Sequence, residues 1–279
     1  MADTSTATNT FPHAAARRAE LSEFLRTKRA GVTPARVGLR AGARRRTAGL
    51  RREEVAQLAG ISPTWYVWLE QGRDIRASAD VLAQLADALL LSAAERAHLY
   101  ALAKPADLAL PNFSVQLPAV LKQWITGLDR QPAYVLNGRW DILDWNLAAS
   151  TIFGDFAAVP PNRRNVLQMI FDWQPWRELF ADWSCLAEFA AAQFRADTAR
   201  YAGHPQIAAL IEEVRASSPE FARVWNEGAI AAPRLTVKRI HHPTLGLLSL
   251  TFAALRPQGA ADDISVVVYS PENAGPIPP

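Results

Sequence analysis

The tightest constraint on this sequence is a short run, Glu54-Val55-Ala56-Gln57-Leu58-Ala59-Gly60-Ile61-Ser62, followed at helical spacing by Tyr66, Leu69, Glu70, Gln71 and Gly72. The spacing predicts two short helices joined by a tight turn. The first runs from about Leu50 to Ala59, with Val55, Leu58 and Ala59 facing inward. Ala56 has to be small, because the next helix crosses close over this one. Gly60 takes a turn conformation that is costly for other residues, and Ile61 plugs the turn. Ser62-Pro63 reads as an N-cap with proline at the first helical position, and Gly72 marks the end. Val55, Ile61, Tyr66 and Leu69 then supply a small core that fixes the angle between the two helices.

Three more short helices accompany this pair between Arg17 and Ala103. Leu21, Phe24, Leu25 and Lys28 form a narrow stripe at helical spacing on the first. A basic loop from Gly38 to Arg46 separates it from the pair. Ser78 caps a fourth helix that carries Val81, Leu82, Leu85, Ala88 and Leu89 on one face. Ser92-Ala93-Ala94-Glu95 is a capping box opening the fifth. Residues 17–104 are therefore expected to form an all-α domain of five short helices. Residues 1–16, rich in Ala and Thr, read as a disordered tail.

Charge is unevenly spread along the 279 residues. Residues 1–104 hold 16 Lys and Arg against 10 Asp and Glu, a net of +6, while residues 105–279 carry a net of −3. Between Arg17 and Arg52 alone the net is +10, almost all of it arginine. A basic front half on a mildly acidic back half suggests that one part meets a polyanion. Arginine suits phosphate and guanine better than lysine does. The lone Cys185 excludes an intramolecular disulfide and fits a reducing compartment. No apolar run reaches the ~18 residues of a membrane span, so a cytoplasmic protein without a membrane partner is expected.

The Glu54–Gly72 run resembles the xenobiotic-response-element type of helix-turn-helix. That resemblance implies sequence-specific binding to double-stranded DNA, with the third helix entering the major groove by its N-terminal half. Its groove-facing side would be Pro63, Thr64, Trp65, Val67 and Trp68. Thr64 can bond a base or a phosphate. Trp65 and Trp68 either contact thymine methyls or pack on neighbouring helices and the sugar-phosphate backbone, and both readings stand. Arg44, Arg45, Arg46, Arg51 and Arg52 flank the start of the second helix, and Arg73 and Arg76 follow the third. These arginines would supply most of the affinity through phosphates. Where the family usually has Gln near the start of the second helix, this chain has Arg52. Paired modules on palindromic half-sites make a homodimer the expected form.

Residues 105–118, with three prolines and no periodicity, read as a linker, and 119–270 as a second domain with a mobile tail over 271–279. Ala133–Asn137 and Arg139–Trp145 are β-prone runs joined across Asn137-Gly138. Asn146–Phe153 is a short helix ending at Gly154. Helices dominate Arg163–Glu227, and the clearest pattern places Trp176, Phe180, Trp183, Ala187, Ala190 and Phe194 at alternating steps of four and three. Leu235–His241, Leu245–Phe252 and Ile264–Tyr269 close the domain as strands. An early hairpin joined to three late strands makes one antiparallel sheet with helices on one face, an α+β domain with the element order of a PAS fold.

Longer stretches resemble MmyB-like regulators: Gly42 to Ala56, then Trp140-Asp141-Ile142-Leu143-Asp144-Trp145-Asn146 and Phe153-Gly154-Asp155-Phe156. Arg164-Asn165, Asp182-Trp183, Ser218-Pro219-Glu220-Phe221 with Trp225, and His242-Pro243 continue the likeness. The resemblance implies a bacterial transcriptional regulator with a PAS-like ligand-binding domain and a fatty-acid-like or other small apolar ligand. Gly228 departs from it, standing where relatives often carry His. A sheet with helices on one face leaves room for an apolar cavity, and Tyr134, Trp145, Phe171, Trp176, Phe180, Trp183 and Phe194 are candidates for its lining. Aromatics at helical spacing are more often plain core than ligand lining. The domain would then be a ligandless dimerisation or partner platform.

No constellation supports an enzyme, a metal or a cofactor. His241 and His242 are neighbours in a strand and face opposite sides. Asp141 and Asp144 sit three residues apart in one strand. Cys185 lies on a helix with no His at contact spacing, which reads as a buried thiol.

Overall fold

The computed structural model describes residues 12–39, 47–103, 113–230, 237–258 and 263–272. They fall into two compact units: those within Met1–Leu110 together with Ala199–Ile207, and those within Pro111–Thr198 with Ala208–Pro279.

The first unit contains α1 (Pro12–Gly31), α2 (Arg52–Leu58), α3 (Pro63–Glu70), α4 (Ala79–Ala88) and α5 (Ala93–Ala103). Its core gathers Leu25 from α1, Val55 and Ala56 from α2, Tyr66 and Leu69 from α3, and Leu85 and Leu99 from α4 and α5. Polar starts are capped as the sequence suggests. Ser62 Oγ accepts from Trp65 N at 3.4 Å, Ser78 Oγ from Val81 N at 3.3 Å, and Glu95 closes the Ser92 box. Gly60 lies in the left-handed region at φ +64°. Gly49 is required for a different reason. A Cβ there would meet the backbone of Ala30 at 2.4 Å, so only glycine lets the loop press on the end of α1. Leu58 departs from expectation, being 37% exposed. With α2 directed inward along Val55, Ala56 and Ala59, a 3.6-residue period swings Leu58 about a quarter turn away.

The second unit opens with α6 (Ala119–Thr126), followed by β1 (Ala133–Leu136), β2 (Ile142–Trp145), α7 (Leu147–Phe153), α8 (Val166–Asp172), α9 (Gln174–Leu179) and α10 (Trp183–Thr198). Then come α11 (Pro205–Ser217), α12 (Pro219–Asn226), β3 (Val237–His242), β4 (Gly246–Leu255) and β5 (Ser265–Pro271). The strands form one antiparallel sheet in the order β2-β1-β5-β4-β3, which sets the early hairpin beside the last strand. Alternation splits the strands cleanly. Ala133, Val135 and Val266 face α6 through Leu121 and Ile125, so one helix lies on the face opposite the rest. Tyr134, Leu136, Val267 and Tyr269 face the other way, toward α8 and α10.

Three local expectations are corrected. Asn137-Gly138 does not fill a two-residue turn. Asn137 opens a wider loop, its carbonyl accepting from Trp140 N at 3.0 Å, and Trp140 takes the left-handed position at φ +69°. The strand expected from Arg139 therefore starts at Ile142. The pattern from Trp176 to Phe194 is not one helix. Phe180 bridges to Ile240, and Ala181 N donates to the Arg239 carbonyl at 2.9 Å, so the chain leaves α9 to pair with β3 and re-enters a helix at Trp183. Cys185 is exposed, because α10 turns Trp183, Leu186 and Ala187 inward and leaves Cys185 on the outer side.

Candidate functional site

Helix α3 has two chemically distinct sides. Tyr66, Leu69 and Glu70 are buried, whereas Pro63, Thr64, Trp68 and Gln71 are exposed and Trp65 and Val67 half-buried. Thr64, Trp68 and Gln71 recur at steps of four and three, so they share one stripe. The Gln71 amide escaped the sequence reading. Its signal was the same spacing, hidden because it sits at the helix end. Trp68 is 39% exposed, and the Arg73 guanidinium stands 5.4 Å over its ring. The pair presents a cation against a flat apolar surface.

Glu70 locks this helix to its neighbours. Its buried carboxylate receives Arg29 Nε at 2.7 Å, Arg29 Nη2 at 3.0 Å and Arg52 Nε at 2.8 Å. Ser22 Oγ donates to its backbone carbonyl. Burial alone would raise the carboxyl pKa, but the hydrogen bonds from Arg29 and Arg52 hold it below the ordinary value. Arg52 is thus an ion-pair partner first, with 44% of its side chain still exposed. Arg51, Arg73 and Arg76 are exposed. Arg44, Arg45 and Arg46 lie outside the described residues.

The second unit carries a cavity of about 530 Å³, open to solvent on one side, between the sheet and helices α8 and α10. Leu136, Val166, Ile170, Leu186, Phe189 and Val267 give it mostly apolar walls. Of the seven aromatics read from the sequence, Tyr134 alone lines it. The other six pack elsewhere. Trp145 lies on Phe156 under Arg164, Phe171 on Trp183 and Phe221, and Phe194 on Trp140 and Trp225. Trp176 Nε1 donates to the Phe153 carbonyl and Trp183 Nε1 to that of Ile170, so both are satisfied core residues. Phe180 packs on Phe153 and Trp176.

Polar groups also reach the cavity wall, among them Gln193, Asp197, Lys238, Arg256 and Ser265. Trp140 Nε1 donates to Asp197 at 3.2 Å, and Gln193 Nε2 donates to the same carboxylate at 3.0 Å. Lys238 Nζ lies 3.2 Å from the Tyr269 hydroxyl, which is 2.9 Å from that of Tyr134. Burial pushes the Lys238 amine down to about 8 and the Tyr134 phenol up to about 12. No sequence argument flagged Lys238, since a single lysine in a strand is ordinarily solvent-facing.

Most residues that carried the family resemblance build the frame instead. Asn146 caps α7 through Ala149 N and binds the carbonyls of Leu128 and Gln131 at 2.7 and 2.8 Å. Asn165 caps α8 and ties it to Arg139 and Asp141. Asp182 pairs with Arg239 through two bonds, at 2.6 and 2.7 Å. His242 Nδ1 accepts from Leu245 N at 3.1 Å, so Nε2 donates to the Thr151 carbonyl at 2.8 Å. Gly228 sits beyond α12 at φ +66°, not on the cavity wall. Among the described residues no group of three His, Cys, Asp or Glu side chains converges, and no helix is long and apolar enough to cross a membrane.

Comparison with known families matches both units. Residues 117–276 match the model of the MmyB-like transcription regulator ligand binding domain, and residues 14–99 match that of a helix-turn-helix domain. No curated protein matches the chain.

Proposed function

The chain belongs to the MmyB-like transcription regulators, and from that membership we propose a DNA-binding regulator whose affinity for its operator is set by a small apolar, fatty-acid-like molecule in the second unit. The observation that supports this reading is the 530 Å³ apolar cavity, a size within the roughly 300–1,000 Å³ range of small-molecule sites. The DNA face is assigned to Thr64, Trp65, Trp68 and Gln71, with Arg51, Arg73 and Arg76 on phosphates. Arg52 reaches the same backbone from its ion pair with Glu70. Two copies bind a palindromic site, their recognition helices about 34–36 Å apart.

Filling the cavity tests the ligand half. Ala190 lines the cavity from α10 and is buried. An uncharged solvatochromic dye should bind the full-length protein and be displaced by decanoate, while Ala190→Phe should bind it at least tenfold more weakly. Equal dye binding by both proteins would remove the cavity from the account.

A further inference from the structure

The cavity has one chemically odd wall. Lys238 is the residue of β3 that faces inward opposite Leu250, and its ammonium is surrounded by rings. Nζ stands 4.6 Å from the centroid of Phe252, 5.4 Å from Tyr269 and 5.9 Å from Phe180. The residue keeps some accessible surface, and it is one of those lining the cavity. Among the described residues no carboxylate lies within ion-pair distance of it. The ring faces offset part of the lost hydration, but no anion does, and a desolvated cation without one is costly. The carboxylate on the cavity wall, Asp197, is held by Trp140 and Gln193.

The hydroxyls beside it are arranged to help. Tyr269 oxygen can accept from both Lys238 Nζ and Tyr134, which leaves its own O–H free to donate toward the cavity. An ammonium and a phenol side by side form a two-donor site for one carboxylate, with apolar walls for whatever that carboxylate carries.

We propose that Lys238, with Tyr269, is the head-group anchor of the cavity, the residue that holds the acid end of the fatty-acid-like ligand proposed above. This rests on the cavity being the ligand site. The anchor discriminates acid from neutral analogue, since an alcohol of equal chain length fills the same walls but leaves the ammonium unpaired. Affinity should also fall above pH 8, where the free amine loses its proton. The groups facing Lys238 and lining the same cavity are Tyr134, Tyr269, Asp197 and Arg256. Both phenols are shifted upward by burial, so neither competes in that range.

The test is calorimetric titration of the full-length protein with decanoate and with decanol, in wild type, Lys238→Met and Lys238→Arg. Wild type should prefer decanoate at least tenfold at pH 7. Lys238→Met should lose that preference while holding decanol within twofold, and Lys238→Arg should keep most of it. Equal binding of acid and alcohol by wild type would overturn the anchor and leave the cavity reading intact. Binding of neither would overturn both. If Lys238→Met does not fold, the wild-type preference measured from pH 7 to pH 9.5 decides alone, and a preference that does not decline overturns the anchor.

Discussion

Glu70 shows how one residue of the helix proposed to read DNA can be devoted to holding it. It sits at the end of α3 with Arg29 from α1 and Arg52 from the start of α2 on its carboxylate. Removing Glu70 leaves the Arg29 guanidinium largely desolvated, at a cost of up to about 3–5 kcal/mol, while the half-exposed Arg52 can regain water. Glu70→Ala should therefore lower the unfolding free energy obtained from urea denaturation by an amount approaching that. The pH dependence has a definite sign. The folded carboxyl pKa is held below the unfolded value of 4.5, so its stabilisation is complete above that pH and disappears as pH falls through the folded value. Glu70→Gln should flatten this acid limb in a pH series of denaturation midpoints. An unchanged limb would show that the cluster contributes nothing.

At the scale of elements, the caps and turns were the legible part. Ser62, Ser78, Ser92 and Asn146 each accept the backbone bond that their position suggests, because capping is local chemistry. Two glycines behave differently for reasons the structure separates. Gly60→Ala meets nothing closer than Gln84 Oε1 at 3.8 Å, so it should cost about 1–2 kcal/mol for the left-handed backbone alone. Gly49→Ala drives a Cβ into the Ala30 backbone and should cost clearly more; thermal melts of the two variants rank them. What failed to show in the sequence was decided at a distance. Nothing near Phe180 says that Ile240 and Arg239 will pull it out of a helical period. The cavity wall was equally hidden. Its residues come chiefly from four strands and two helices and mix aliphatic, aromatic and polar side chains, whereas Trp176 and Trp183 satisfy their indole N–H groups on carbonyls within the core. Lys238 needed the strand register before its inward direction could be known.

For the molecule as a whole, binding chemistry is divided between the two units. The first unit's affinity should be largely ionic. Arg51→Ala removes one proposed phosphate contact, from an exposed side chain and without touching Glu70, so the slope of log affinity against log salt should fall by about 1. An unchanged slope would take Arg51 off the phosphate backbone. Regulation requires that ligand favour one DNA-binding state over another, since equal affinity for both shifts nothing. The decisive measurement is affinity for an operator selected from random DNA, titrated with decanoate in wild type and in Ala190→Phe. The account predicts that decanoate changes wild-type operator affinity at least fivefold and leaves that of Ala190→Phe within twofold. No change in wild type, or the same change in both proteins, would contradict it.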